Sequence, residues 1–316
     1  MSDGETHNKP TENDPQYKNF VWNSERWDGF EFRDDDIVIS TPPKCGTTWM
    51  QMQCALLLFR TPDLPAPLAQ LSPWLEMNTR PLAEVRRELE EQTHRRFIKT
   101  HTPLGGVPWD ERVTYLHVTR DPRDAALSWD NHLSNIDGDR FVAARMAAVG
   151  LDDLDELGTD GPPEAPPEDP VLRFWGWVEG DGVSDGHSGL AALVHHSATF
   201  WATRQAPNVH LFHYGDLRAD LAGQMARLAV ALGVEPPTDE LVEAARFESM
   251  QARSAELVPN SDTPFWNSSA QFFDKARAGD WRELIGEHEL PRYDAAVAAA
   301  TADIELATWL HTGWLG

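Results

Sequence analysis

Residues 36–60 constrain the fold more than any other part of the chain. After an acidic lead-in they contain a β-branched run at 37–39, a compact turn with two prolines, and a long apolar segment at 47–60 without a helix breaker. This pattern predicts a buried strand, a tight loop and a helix. Several backbone N–H groups and the positive end of the helix dipole would then point at one spot beside Gly46, which suits an anionic phosphate group.

The loop also carries the side chains that a phosphate site needs. Gly46 allows close backbone approach, Thr47 and Thr48 offer hydroxyl donors, and Lys44 brings a full positive charge. Because the lysine precedes the glycine, the loop is not the Walker A motif GxxxxGK[ST]. A plain strand-to-helix connection with threonines capping a core helix is the structural alternative, and these residues alone leave it open.

Strands and helices alternate along the rest of the chain. Strands are predicted at 96–101, 113–119 and 209–213, and helices at 81–93, from about 125, and at 190–204, 221–232 and 239–251. The alternation predicts a single α/β domain with a mainly parallel central sheet flanked by helices. Ligands of such sheets bind at the carboxyl ends of the strands. The residues at these strand ends, expected on one rim, are Lys44, Lys99, His101 and Arg120.

The chain is strongly acidic, with 27 basic and 51 acidic residues among 316 and a formal net charge of −24. Bulk nucleic-acid binding needs a basic face and is not expected. No stretch approaches the roughly 20 apolar residues of a transmembrane helix, and the N-terminus lacks the apolar core of a signal peptide. Cys45 and Cys54 are too few for a disulfide framework. These features predict a cytoplasmic protein without stable membrane insertion.

The composition changes at two places along the chain. Residues 1–16 are predicted to be a disordered lead-in, and residues 17–316 to form the one domain. Residues 150–189 are acidic and rich in proline and glycine around a short aromatic helix at 174–177. We interpret this insert as a mobile flap near the site, and a plain surface excursion is an equal alternative.

His101 lies two positions after Lys99 on the predicted rim. An unperturbed histidine pKa of about 6.5 suits a general base for a hydroxyl group. A lone histidine after a strand is most often structural, but its place beside a lysine and a phosphate loop favours the catalytic role. Together with Arg120 and Ser128, the rim could bind a ligand with several negative groups.

Four motifs resemble those of the cytosolic sulfotransferases. STPPKCGTTW at 40–49 resembles their phosphosulfate loop, [ST]xPKSGTTW, and RDPRDAALSWDNH at 120–132 resembles their 3′-phosphate motif, RxPxDxxxS. KTH at 99–101 matches their catalytic strand end, and GDW at 279–281 resembles the end of their RKGxxGDWK segment. Order and spacing agree from about residue 30 to about 290. SPWLE, RRFIKTHTPL and NVHLFHYGDLRADLAG look most like actinobacterial members that act on glycolipids.

The resemblance implies a P-loop-like sulfotransferase fold and transfer of a sulfuryl group to a hydroxyl or amine without a metal. The donor would be 3′-phosphoadenosine 5′-phosphosulfate (PAPS), and 3′-phosphoadenosine 5′-phosphate (PAP) the product. By resemblance, His101 would deprotonate the acceptor, Lys44 would stabilise the leaving group, and Lys99 would bear charge on the transferring group. The implied cofactor-binding residues are Lys44, Cys45, Gly46, Thr47, Thr48, Trp49, Arg120, Ser128, Tyr214, Phe247, Lys275 and Arg277.

The acceptor is expected to be a small hydrophobic or glycolipid-type molecule. The motifs imply an acceptor hydroxyl but no identity for it. Aromatic and apolar residues that suggest its pocket are Trp74, Leu75, Trp109, Trp175 and Trp177.

The chain departs from the family pattern at several positions. Cys45 takes the place of the usual serine, which puts hydroxyl-based control of Lys44 in doubt. Asp274 stands where arginine is common and would repel a 3′-phosphate, so only Lys275 and Arg277 carry over. RELIGEHELP after Trp281 lacks the KxxxTVxxxE dimerisation segment, so that mode of dimerisation is not expected.

Two other functions use the same strand–loop–helix unit. A small-molecule kinase would need a Walker lysine and a nucleotide metal site, and an inactive nucleotide-binding protein would be compatible with Cys45 and Asp274. His195 and His196 lack further ligands at metal spacing, so a structural role is expected for them. Asp121 follows an apolar strand like a Walker B aspartate, but without Walker A this likeness is weak.

Overall fold

The computed structural model describes residues 16–152, 166–180, 188–257, 265–273 and 278–314. At its centre lie strands β1 Ile37–Ser40, β2 Phe97–Thr100, β3 Thr114–Thr119 and β4 Val209–His213, in the order β2-β1-β3-β4. The three neighbouring pairs are all parallel. The predicted α/β fold with a parallel central sheet is confirmed.

Helices connect and cover the strands. Among the described residues they are α1 Thr47–Phe59, α2 Leu68–Leu71, α3 Leu82–Glu91, α4 Pro122–Ser134, α5 Gly138–Ala148, α6 Pro170–Glu179, α7 Leu190–Ala202, α8 Tyr214–Ala219, α9 Leu221–Leu232, α10 Asp239–Ala244, α11 Phe247–Ala252, α12 Ser254–Leu257, α13 Ser269–Phe272, α14 Trp281–Leu284, α15 Leu290–Ala300 and α16 Ile304–Thr312. Short 3₁₀ turns occur at Ser24–Trp27, Leu104–Gly106 and Glu287–Glu289.

The two faces of the sheet carry separate parts of the core. Along β1, Ile37 and Ile39 pack with apolar residues of α1 and α9, whereas Val38 packs on the opposite face with residues of α7 and α15. This division follows from the period of two in a strand. Burial on both faces explains why β1 is a continuous apolar run at 37–39 rather than an alternating one.

The register brings the carboxyl ends of the strands together. Ser40 lies opposite Thr100, and Thr119 lies opposite His213. The phosphate loop, the segment at His101 and the start of α4 therefore leave the sheet side by side. The predicted rim exists because the strands are parallel and nearly in step.

The aromatic segment before β1 packs onto the body of the protein. The Trp27 ring contacts Phe30 and Phe32, and its Nε1 donates to the carboxylate of Glu76 at 2.6 Å. The segment covers the protein behind β2, where Trp27 contacts the buried carboxylate of Glu76.

Two helix predictions differ from the structure. Helix α4 begins at Pro122 rather than near Ala125, because Asp121 caps it and proline fits the first helical position. The single helix predicted at 239–251 is split into α10 and α11 by extended backbone at Arg246. The break leaves the carbonyl of Ala245 open to accept from Trp49 Nε1 at 2.7 Å.

The middle of the insert is a helix that belongs to the core. Phe174, Trp175 and Val178 on α6 are buried against neighbouring helices. The predicted flexible stretches at 153–165 and 181–187, and the predicted lead-in at 1–15, lie outside the described residues. Within the described ranges, the helices are too short or too polar to cross a bilayer.

Candidate functional site

The phosphate loop adopts an unusual backbone. Lys44 has φ of +66° and Gly46 has φ of +105°, both in the left-handed region. A Cβ added at Gly46 would lie 3.0 Å from the ring of Tyr214, so glycine is required there for space as well as conformation. A non-glycine residue held at positive φ is typical of functional loops, and here it is the lysine.

The start of α1 is open to a ligand. Gly46 is the N-cap and supplies no side-chain hydrogen bond to the first N–H groups of this helix of 13 residues. The hydroxyl groups of Thr41 and Thr47 hydrogen-bond to each other, which fixes the loop across its base. The arrangement suits an anion at the helix N-terminus.

Three cations meet at the rim without carboxylate partners. Lys99 and Arg120 are buried and Lys44 is partly buried. Within the described ranges, none of the three forms an ion pair, and Arg120 Nε is buried without a hydrogen-bond partner. Buried charges are normally paired. This donor set fits the phosphates and sulfuryl group of PAPS.

Each of these cations rests on an aromatic ring. The Lys99 Nζ lies 4.1 Å from the ring centre of Trp74, and Arg120 lies 4.4 Å from that of Tyr214. The Lys44 Nζ lies 5.1 Å from the ring centre of Phe272. Aromatic faces stabilise the cations without neutralising them.

Burial and mutual repulsion lower the pKa values of both lysines. Burial, and then Arg120, lowers the pKa of Lys44 to about 8. Burial, and then Lys44, lowers the pKa of Lys99 to about 7. An anionic ligand would reverse both effects, since opposite charge favours the ammonium forms. The site is electrostatically prepared for a polyanion.

His101 is held in a defined tautomer. Its Nδ1 lies 2.7 Å from the carbonyl oxygen of Thr41, so Nδ1–H donates and Nε2 is the nitrogen that can take a proton. Trp74 packs edge-on against the imidazole at 4.7 Å, and Trp22 lies 5.8 Å away. A histidine oriented in this way can act as a base beside the cations.

A buried carboxylate, not anticipated from the sequence, lies behind β2. Glu76 Oε1 accepts from the hydroxyl groups of Thr100 and Thr102, the residues on either side of His101. Burial raises the pKa of Glu76. Burial and then Lys44 lower the pKa of Lys99, and the Glu76 carboxylate opposes part of that lowering. Its signal in the sequence is a lone glutamate inside the apolar stretch SPWLEM.

Aromatic residues border the opposite side of the loop. Trp49 and Tyr214 contact each other edge to face at 5.2 Å, and Phe247 opens α11 just after Ala245, the partner of Trp49. Ser128 is partly buried on α4, two turns after Arg120 leaves β3. Ring contacts thus join Trp49, Tyr214 and Arg120 beside the loop, and Ser128 and Phe247 lie on the helices α4 and α11.

Cys45 occupies a different position from its neighbours in the loop. Its thiol is fully buried in the core and accepts from the backbone N–H of Arg120, and burial raises its pKa to about 12. Its own N–H donates to the carbonyl of Pro42. The side chain packs the loop rather than facing a ligand. Asp274, Lys275 and Arg277 lie outside the described residues.

The remaining candidates are accounted for by packing. His196 Nε2 lies 3.0 Å from the Ser40 hydroxyl in the core, and Asp121 caps α4 while pairing with Arg123. Trp109 stacks on Tyr115, and Trp175 lies against Arg292. Of the five residues expected around the acceptor, Trp74 is the one whose ring contacts both Lys99 and His101.

His132 is a further site residue that was missed from the sequence. His132, the last residue of the motif at 120–132, lies 3.4 Å from Lys44 through its Nδ1. The available signal was its spacing, because a residue four positions after Ser128 on a helix faces the same side.

Comparison with known proteins shows the family. The family described as the sulfotransferase domain matches residues 34–305. The chain is 39% identical to a glycolipid sulfotransferase of Mycobacterium bovis, covering 95% of each chain, and 39% identical to that of Mycobacterium tuberculosis over the same shares. The chain belongs to the sulfotransferase family. It is a PAPS-dependent sulfotransferase, as its motifs predicted.

Solved structures share the fold. A retinol dehydratase in complex with retinol and PAP has a TM-score of 0.65 at 19% identity, covering 88% of this chain and 84% of that one. A mouse sulfotransferase complexed with PAP has a TM-score of 0.63 at 18% identity, covering 90% and 91%. The likeness establishes the common architecture.

Proposed function

We propose that this enzyme transfers a sulfuryl group from PAPS to a hydroxyl group of a glycolipid-type acceptor, with His101 as the general base. The observation that carries the proposal is the group of cations Lys44, Lys99 and Arg120, which have no ion-pair partner in the described part of the chain, around a histidine of fixed tautomer. PAPS supplies the sulfuryl group and leaves as PAP.

The reaction assigns a task to each residue of the rim. His101 Nε2 takes the proton of the acceptor hydroxyl as its oxygen bonds to sulfur. Lys44 faces the phosphate oxygen whose bond to sulfur breaks, and its ammonium stabilises the charge that develops there. Lys99 bears charge on the transferring group. Catalysis then rests on positioning and electrostatic stabilisation, as in phosphoryl transfer.

The nucleotide would lie between the loop and α8. Gly46, Thr47 and Thr48 hold the 5′-phosphate at the start of α1, and Arg120 with Ser128 holds the 3′-phosphate. Trp49, Tyr214 and Phe247 border the adenine. Lys275 and Arg277 extend the 3′-phosphate site by resemblance.

An aromatic cluster on the other side of His101 supports an acceptor with apolar or ring surfaces. Trp74, which contacts the base, packs in a cluster with Phe20, Phe141, Phe265 and Trp266. Such a wall suits both acyl chains and the faces of sugar rings. The relatives named glycolipid sulfotransferases make the glycolipid the favoured acceptor.

The His101→Asn variant tests the base. Asparagine can keep a donor toward the Thr41 carbonyl but has no nitrogen at the Nε2 position. We expect kcat to fall by about 10²–10⁴, while the rise in Tm caused by PAP stays as in the wild type. Sulfuryl transfer at the wild-type rate would show that another group removes the proton.

The acceptor is tested with matched pairs of substrates. A panel of glycolipids and their deacylated headgroups, with a simple phenol for comparison, is incubated with PAPS and the products are detected by mass spectrometry. We expect the intact glycolipids to have the highest kcat/KM. Transfer confined to the phenol would refute the glycolipid assignment and leave the donor site intact.

A further inference from the structure

His132 approaches Lys44 from the last turn of α4. Its Nδ1 is 3.4 Å from the Lys44 Nζ, and within the described ranges no other hydrogen bond of that ammonium group occurs. The imidazole lies between the rings of Trp129 and Trp266, at 5.5 and 5.0 Å. The ring is therefore fixed by packing on both sides.

The contact defines the protonation state of the imidazole. An ammonium group has donors only, so Nδ1 must present its lone pair and the ring proton must lie on Nε2. Burial lowers the pKa of His132 well below the ordinary value, and among the described residues the charged and titratable groups Lys44, Lys99 and His101 lower it further. The nearby carboxylate on the same helix, Asp130, is bound to Arg173 at 2.6 Å. His132 is a neutral acceptor.

His132 lies at the C-terminus of α4, where a neutral histidine is not the form that the helix dipole favours. A helix dipole favours a protonated histidine there by about 0.3–1 kcal/mol. Burial and then the neighbouring cations outweigh that preference, because the pKa moves downward. The site thus keeps an uncharged hydrogen-bond acceptor among positive groups.

Helix α4 also holds the other wall around Lys44. The side chain of Asn135 accepts from the N–H of Ser268 and donates to its carbonyl, both at 2.9 Å. The N–H of Asn267 donates to the Asn135 carbonyl at 2.8 Å. These bonds tie the segment carrying Trp266 and Phe272 to the end of α4, and Lys44 contacts both His132 and Phe272.

We propose that His132 is a positioning residue for Lys44, whose Nδ1 accepts a hydrogen bond that keeps the lysine charged and directs it across the phosphate loop. The proposal rests on the function proposed above, in which Lys44 stabilises the leaving group. Loss of the acceptor leaves the ammonium beside Arg120, Lys99 and a buried thiol, with no bond to offset the repulsion. The lysine would then lose its proton more easily, and its side chain would be held less firmly in one orientation.

Two variants separate the hydrogen bond from the shape of the side chain. His132→Asn places an amide oxygen near the position of Nδ1, whereas His132→Leu fills similar space without an acceptor. The exposed His288 provides a matched control as His288→Leu. All variants are first compared in Tm and in the rise in Tm caused by PAP.

The direct measurement is the pKa of Lys44 by NMR of protein labelled with ¹³C at lysine Cε. The chain has five lysines, at 9, 18, 44, 99 and 275, so the spectrum is simple and Lys44→Met assigns the signal. We expect His132→Leu to lower the pKa of Lys44 by about one pH unit, and His132→Asn and His288→Leu to leave it nearly unchanged. An unchanged pKa in His132→Leu, or equal shifts in the Asn and Leu variants, would overturn the proposal.

Turnover supplies the second measurement. With PAPS and the best acceptor, kcat of His132→Leu should fall about tenfold, while the KM for PAPS changes little. The basic limb of its profile of kcat against pH should move to lower pH. His132→Asn should recover most of the rate. The NMR result does not need an acceptor, so a protein without sulfuryl transfer would refute the proposed function separately from the hydrogen bond.

Discussion

The two ends of the central sheet treat buried positive charge in opposite ways. At the amino end, Arg96 just before β2 binds the carboxylate of Asp36 just before β1, with Nε donating at 2.9 Å, and both side chains are almost fully buried. At the carboxyl end, Lys99 and Arg120 are equally buried but have no such partner in the described part of the chain. The same sheet therefore has a buried ion pair at its amino end and, in the described part of the chain, buried cations without a carboxylate partner at its carboxyl end.

The difference shows what each end is for. Leaving a buried charge unpaired costs free energy, which the folded protein must recover elsewhere. The Arg96–Asp36 pair is complete within the chain and serves the fold. In the described part of the chain, Lys99 and Arg120 at the rim have no carboxylate partner. We therefore expect their charges to bind an anionic ligand. Removing a charge should therefore affect stability at one end and binding or turnover at the other.

The largest effect is expected at the amino end. Asp36→Ala leaves Arg96 buried without a partner, and the free energy of unfolding should fall by about 3–5 kcal/mol. The double variant Asp36→Ala/Arg96→Met should recover part of the loss. Urea unfolding measures both. If the single variant loses under about 1 kcal/mol, the pair contributes no more than a surface one.

Lys44→Met should give the converse result at the carboxyl end. Loss of the leaving-group cation should lower kcat by about 10²–10³. Its Tm without ligand should not fall, because the variant removes a cation whose pKa is already lowered by burial. Steady-state kinetics and thermal unfolding are measured on the same preparation. A large loss of Tm with intact kcat would place Lys44 among the structural charges.

Arg120→Met tests the 3′-phosphate side. Hydrogen bonds to a charged group contribute about 1.5–3 kcal/mol, so the affinity for PAP should weaken by one to two orders of magnitude, while that for the analogue without the 3′-phosphate changes little. Isothermal titration measures both ligands. Arg123→Met is the matched control, because Arg123 follows closely in the chain but is paired with Asp121. Equal weakening in both variants would contradict the assignment.

The smallest effect is a pH dependence of stability. The pKa of Lys99 is about 7 in the folded protein, against 10.5 as its ordinary value. Between these values the unfolded chain binds more protons, so the free energy of unfolding rises with pH. Comparison with Lys99→Met isolates this contribution from that of the cysteines. We expect the difference in Tm between the wild type and Lys99→Met to change by a few degrees in favour of the wild type from about pH 7 to about pH 9.

Saturation with PAP sharpens this comparison. The bound anion favours the charged lysine and should raise its pKa, so the gain with pH should disappear in the complex. A gain of the same size with and without PAP would mean that the ligand does not act on Lys99.

The elements that depend on local sequence were predicted well. The four strands of the described residues lie where they were predicted, β1 from its β-branched run, and the helices α1, α3, α7 and α9 lie within a few residues of their predicted positions. The split between α10 and α11 was not predicted, and the carbonyl that it leaves open accepts from the indole of Trp49, 196 positions away in the chain. Propensity records no such distant partner.

The sequence by itself determined the order of the predicted strands and helices and the placement of Lys44, Lys99, His101 and Arg120 at or just after strand ends. A parallel sheet then brings these positions to one rim whatever the side chains contact. Only the tertiary structure decided the partners: Phe272 and His132 for Lys44, Tyr214 for Arg120, and Glu76 behind His101. These contacts join segments that are far apart in the chain, and their geometry depends on how helices pack on the sheet. Periodicity specifies which face of an element is buried, but not which residue lies across from it.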